Sequence, residues 1–301
     1  MMEFDRGPIF NPERKSAVLN GKEVRYLESQ GISSTHNPLV MIPGWPVSAH
    51  SLAPLMQKLG EDVKCYALNL PGFGGSETDY GTNHSFSYYA EFLDQFRERI
   101  VGSKEVNLFG YSTGGVLGIV YDNKFQNTLD KLIVFSPPYN GIEYYQQASE
   151  KDIRYFSLFV LLRRYRPLTR LLNNRLVIGR IVETVINDIY SGGYPGLVPT
   201  GGRFTKELIE ESSKFNVKAV IDLAADLSGH DFSDKAKRVR APTLVIAAEN
   251  DEVVTPEMVR PLSELIPGSQ YVLIPDGDHS VGLAEPDKMA RLIVEFLRAQ
   301  E

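Results

Sequence analysis

The sequence predicts an α/β protein: a mostly parallel central sheet with helices on both faces, interrupted by a helical cap domain. Three observations predict it. Short apolar runs alternate with segments of helical period. The runs are apolar throughout, as strands buried on both faces must be. The alternation stops over residues 141–235 and resumes at 242.

Each element has its own signal. Val18-Leu19, Asn20-Gly21 and then Val24 to Leu27 read as a hairpin around a type I′ turn, because Asn and Gly tolerate the two positive φ angles it needs. Residues 39–42 form a strand that stops at Pro43-Gly44. Leu52, Leu55, Met56 and Leu59 keep helical spacing, and 63–68 is a strand closed by Pro71-Gly72. Residues 86–101 are helical, with Phe92, Phe96 and Ile100 on one stripe. Strand 106–109 leads through Gly110-Tyr111-Ser112 into a helix from Thr113, and 132–135 is the next strand. The insertion, roughly ninety-five residues and far beyond loop length, carries helix-like runs at 152–165, 175–190, 205–213 and 217–227. Strand 242–247, helix 256–266, strand 270–274 and helix 284–299 complete the chain. Residues 1–140 and 236–301 therefore form the sheet domain, and 141–235 the insertion.

Composition narrows the function. At 301 residues, 43% hydrophobic and 23% charged, the chain is globular. It has no eighteen-residue apolar stretch, so no transmembrane helix is expected. Its first residues carry Glu3, Asp5 and Arg6, which disfavours a secretory signal and points to the cytoplasm. The single cysteine, Cys65, excludes an intramolecular disulfide and a cysteine-based zinc site. A net charge of −6 gives no footprint for nucleic acid. A small-molecule substrate is expected, with no cofactor and no metal.

The sharpest motif is Gly110-Tyr111-Ser112-Thr113-Gly114-Gly115, between a strand and a helix. Glycines two before and two after the serine let the backbone turn sharply and lift its Oγ above the sheet edge. The Thr113 N–H then faces a developing oxyanion at a helix N-terminus. A serine nucleophile needs a base. Of the five histidines, His36 and His84 lie in polar loops, His50 starts a helix as a surface cap, and His230 ends the insertion. His279 follows strand 270–274 at the carboxyl edge, where catalytic groups of open α/β sheets collect. It is the first choice and His230 the second. A carboxylate must orient the base. Asp251, after strand 242–247, is favoured over its neighbours Glu249 and Glu252; Asp278 is too close to His279 to fold back on its ring.

The order Ser112, Asp251, His279 on this strand rhythm resembles the α/β-hydrolase superfamily, in its serine esterase/lipase-like branch with a helical cap. Pro43-Gly44-Trp45-Pro46 resembles the family's H-G-x-P segment, with Pro43 in place of His. The stretch from Leu68 to Ser76 resembles its D-x-P-G-x-G-x-S loop, with Asn69 where Asp is usual. Gly277-Asp278-His279 and Glu285-Pro286 resemble its closing motif. The resemblance implies an oxyanion hole made by the backbone N–H groups of Trp45 and Thr113. It also implies a substrate pocket beneath the cap, for which Trp45, Tyr111, Tyr139, Tyr144, Phe156 and Phe159 are candidates; the other reading of the cap aromatics is as the cap's own core. Trp45-Pro46 is a candidate cis bond.

The function expected is hydrolysis of a carboxylic ester of a small, largely apolar substrate through a Ser-His-Asp triad and an acyl-enzyme. The same triad also serves lactone opening, C–C bond hydrolysis, acyl transfer or perhydrolysis. A non-enzymatic ligand receptor on this fold is the remaining alternative. Residues 151–180 hold eight basic side chains against one acidic, interleaved with apolar residues. Such a helix either packs its apolar stripe within the cap or makes a weak peripheral contact with an anionic membrane.

Overall fold

A computed structural model describes residues 12–29, 36–147 and 203–299. Elements are numbered in chain order over these residues. The sheet has eight strands in the order β1-β2-β4-β3-β5-β6-β7-β8. The first two, β1 (Glu13–Leu19) and β2 (Lys22–Glu28), form the expected hairpin, with Asn20 and Gly21 at φ 52° and 76°. β2 runs antiparallel to β4 (Cys65–Leu68). From β4 onward every pair is parallel: β4 with β3 (Leu39–Ile42), β3 with β5 (Val106–Tyr111), then β6 (Leu129–Phe135), β7 (Thr243–Ala248) and β8 (Gln270–Ile274). This is an α/β hydrolase fold with a mostly parallel sheet, and its parallel strands carry all their carboxyl ends to one edge.

Helices cover the sheet, among them α8 (Pro256–Leu265), which packs on β7 and β8. α1 (Ala53–Leu59) packs on the last helix, α10 (Pro286–Arg298), and α2 (Phe86–Phe96) packs on α3 (Thr113–Lys124). α3 is buried almost all round, which suits a central helix rather than a surface one. Two of the expected helices carry a local detail. The run 86–101 leaves α-geometry at Phe96 and ends in a π-turn, Arg97–Val101. The run 284–299 is α10, opened by Pro286 at its first position; a short helix, α9 (Val281–Ala284), precedes it, and Pro286 restricts Glu285 between the two.

The insertion's described part is helical: α4 (Gly141–Gln147), α5 (Arg203–Ser212), α6 (Val217–Ser228) and α7 (Ser233–Ala236). Asn140 bridges Asp231, and Gly141 N–H donates to His230 O at 3.1 Å. The chain thus returns beside the point where it left the sheet. The runs 152–165 and 175–190, the basic stretch 151–180, and Phe156 and Phe159 lie outside the described residues. Among the described residues no helix is long and apolar enough to cross a membrane.

Candidate active site

Ser112 sits at the turn from β5 into α3 with φ 53° and ψ −118°, a conformation that L residues rarely adopt. Glycines make this turn fit. A Cβ on Gly110 would stand 2.4 Å from the Gly114 carbonyl oxygen, and one on Gly114 the same distance from the Ile42 carbonyl oxygen. Ser112 N–H donates to Phe135 O at 2.8 Å, which ties the elbow to β6. Thr113 opens α3, where the first N–H groups lack an intrahelical acceptor.

The loops after β7 and β8 meet because those strands are neighbours. Asn250 N–H donates to Gly277 O at 2.6 Å, and Glu249 N–H to Ile274 O at 3.0 Å. That contact brings His279 Nδ1 to 2.8 Å from Asp251 Oδ2, with both side chains buried. The other carboxylate oxygen, Oδ1, accepts from Val253 N–H at 2.9 Å and Val254 N–H at 2.8 Å. A carboxylate only accepts, so Nδ1–H donates to it, and Nε2 looks away on the far side of the ring. Glu249 and Glu252 are exposed, and Glu249 Oε2 instead receives Asp276 N–H at 3.0 Å. Asp278 Oδ1 accepts from Ser280 N–H at 2.7 Å, a local turn bond.

The imidazole lies among the neighbours of Ser112. The Tyr111 ring centroid is 5.3 Å from that of His279, and the Tyr111 hydroxyl donates to the His279 carbonyl oxygen. The Phe135 ring stacks on His279 at 6.3 Å. Tyr111, a pocket candidate, therefore also braces the histidine loop. On the other side, a Cβ on Gly44 would stand 2.7 Å from Tyr111 Cδ1 and 3.3 Å from Ser112 Cβ, so the Pro43-Gly44-Trp45 turn lies against the elbow. The Trp45-Pro46 bond is cis, and the indole Nε1–H donates to Val220 O at 3.1 Å. Tyr139 is buried at the root of the insertion, where burial pushes its phenol up to about 12; Tyr144 on α4 is half-buried.

Three histidines are placed otherwise. His230, the second choice, is exposed and bonds locally to Asp226 O through Nδ1 at 2.7 Å. His50 is no surface cap: its side chain is only 11% exposed, with Nε2 3.4 Å from Glu207 Oε2, and burial lowers its pKa. His84, read as a residue of a polar loop, is fully buried. Its Nδ1 lies 3.1 Å from Asp222 Oδ2 on α6, and its Nε2 2.7 Å from Thr78 Oγ1. The missing signal was long-range: Asp222 is 138 residues away.

Comparison with known proteins agrees with this fold. A family model described as the alpha/beta hydrolase fold matches residues 37–286. The chain belongs to that family, which puts it in the hydrolase class. Among its relatives is the proline iminopeptidase of Saccharolobus solfataricus, 25% identical over 289 residues, covering 90% of this chain and 88% of that protein. Its fold is similar to that of the bromoperoxidase from Bacillus anthracis, at TM-score 0.76 and 21% identity, covering 95% of this chain and all of that one (100%). It is also similar to the esterase EaEST from Exiguobacterium antarcticum, at TM-score 0.74 and 18% identity, covering 97% and 100%.

Proposed function

We propose that the protein is a serine hydrolase that cleaves carboxylic esters of small, largely apolar substrates, with residues 141–235 forming a cap over the site. The observation that carries this reading is the buried His279–Asp251 pair packed on the residues that flank Ser112. In it, Ser112 Oγ attacks the acyl carbonyl while His279 Nε2 takes its proton. Asp251 holds the ring and stabilises the imidazolium. The N–H groups of Trp45 and Thr113 receive the oxyanion. His279 returns the proton to the leaving alcohol; water then attacks the acyl-enzyme by the same route and releases the acid.

The amide reading is the second one, favoured by the relatives named proline iminopeptidase. It keeps every role above and changes only the leaving group, from an alcohol to an amine.

A fluorophosphonate should add once, on Ser112, and Ser112→Ala should lose turnover by about 10⁶-fold while remaining folded. Parallel assays with p-nitrophenyl esters of increasing chain length and with proline p-nitroanilide separate the two readings. Faster cleavage of the anilide would replace the ester assignment; an adduct on another residue would remove both.

A further inference from the structure

The segment from Gly44 to Ala49 lies between β3 and a 3₁₀ turn, Ala49–Leu52, and no strand or helix fixes it over residues 44–48. Yet it must hold the Trp45 N–H in place, since a donor displaced by about 1 Å can cost up to 10²-fold in rate. Val47 N–H donates to Gly44 O at 3.1 Å and closes the turn around Trp45-Pro46; further ties come from outside the segment. Ala49 N–H donates to Asn69 Oδ1 at 2.7 Å, within the sheet domain. The other two come from the limb by which the insertion returns. Ser48 N–H donates to Ser212 Oγ at 3.1 Å, at the end of α5, and Trp45 Nε1–H donates to Val220 O at 3.1 Å, on α6. Ser48 and Ser212 are both buried.

That limb is itself anchored. Asn216 N–H donates to Gly72 O and Gly75 N–H to Lys214 O, each at 2.7 Å. Asp226 Oδ2 accepts Phe86 N–H at 2.8 Å, and Asp222 holds His84. A Cβ on Gly72 would stand 2.5 Å from Ala219 Cβ, so α6 lies directly on that loop. Residues 212–226 are therefore seated on the sheet domain at several points, and they can transmit position.

We infer that Ser212 and Val220 are positioning residues for the oxyanion hole: the returning limb of the insertion sets where the Trp45 N–H points. The inference rests on the serine-hydrolase reading above. Two hydrogen bonds from one rigid limb, three residues apart on the segment, fix both its place and its tilt.

The test compares wild type, Ser212→Ala and Trp45→Phe. The first removes the acceptor for Ser48 N–H; the second removes the indole donor and keeps an aromatic ring. Each variant should lose about tenfold in kcat for a p-nitrophenyl ester, and in Ser212→Ala, which is not a pocket residue, KM should stay within twofold, as expected for an interaction realised in the transition state. Fluorophosphonate labelling of Ser112 should slow by the same factor, because its phosphoryl oxygen enters the same hole. The double variant should lose less than the product of the two, since both act through one segment. If wild type labels at Ser112 and both variants label and turn over within twofold of it, the inference is overturned and the serine-hydrolase reading stands. A rise in KM at unchanged kcat also overturns it. If wild type does not label at Ser112, the reading itself fails. Should Ser212→Ala not fold, Trp45→Phe decides by kcat and the labelling rate.

Discussion

Ser112 carries a conflict between stability and chemistry in one backbone angle. At φ 53° its Cβ is strained, at a cost of order 1–3 kcal/mol. The turn imposes the angle because Gly110 and Gly114 press within backbone contact of each other. Alanine keeps the Cβ and so keeps the strain, while glycine removes it but adds chain entropy to the unfolded state, about 0.5–1 kcal/mol. Ser112→Gly should therefore be more stable than Ser112→Ala by about 1 kcal/mol, with both inactive. Urea midpoints at equal m-value measure this; equal midpoints would mean that the strain does not exceed the entropy cost of glycine, about 0.5–1 kcal/mol.

Helix α6 is held to the sheet domain by charge as well as by packing. Burial raises the pKa of the Asp222 carboxyl, but hydrogen bonds from His84 and Lys218 outweigh it and hold the group below the usual carboxylate range. A depressed native pKa adds stability above the unfolded pKa, about 3.9, and that stability is lost as pH falls through the native value. Asp222→Asn should cost about 3 kcal/mol at pH 7, since it leaves Lys218 and His84 without their anion. The penalty should shrink below pH 4. Chemical denaturation of both proteins at pH 7 and pH 3.5 tests it, and a gap that stays constant would place the effect in packing rather than charge.

At the scale of the whole molecule, the chain leaves the sheet after β6 and returns toward β7 at neighbouring points, which form the root of the insertion. Tyr139, Asn140 and Gly141 pair with His230, Asp231 and Phe232 there. Gly141 has no room for a side chain: a Cβ would stand 1.9 Å from Leu227 O and 3.0 Å from His230 O. These are backbone atoms, which cannot rotate away. Gly141→Ala should destabilise the protein by about 2 kcal/mol or more. It should also lower kcat, because the root orients α6, which touches the Trp45 turn. Thermal melting together with ester kinetics reads both; a variant with unchanged melting and kinetics would show that the root tolerates a shift.

The sequence by itself determined what depends on near neighbours. The Asn20-Gly21 hairpin, the buried apolar strands and the glycine-framed elbow at Ser112 follow from residues a few positions apart, so they could be read without the fold. Strand order then brought Asp251 and His279 within reach, because parallel strands end at one edge. Tertiary structure alone decided which groups meet across the chain. Burial separated Asp251 from the exposed Glu249 and Glu252. It turned His84 from a loop residue into the partner of Asp222, and it seated Ser212 against Ser48 across 164 residues. Such pairs leave no periodic trace in the sequence, since a single hydrogen bond asks only for one donor and one acceptor at the right place in space.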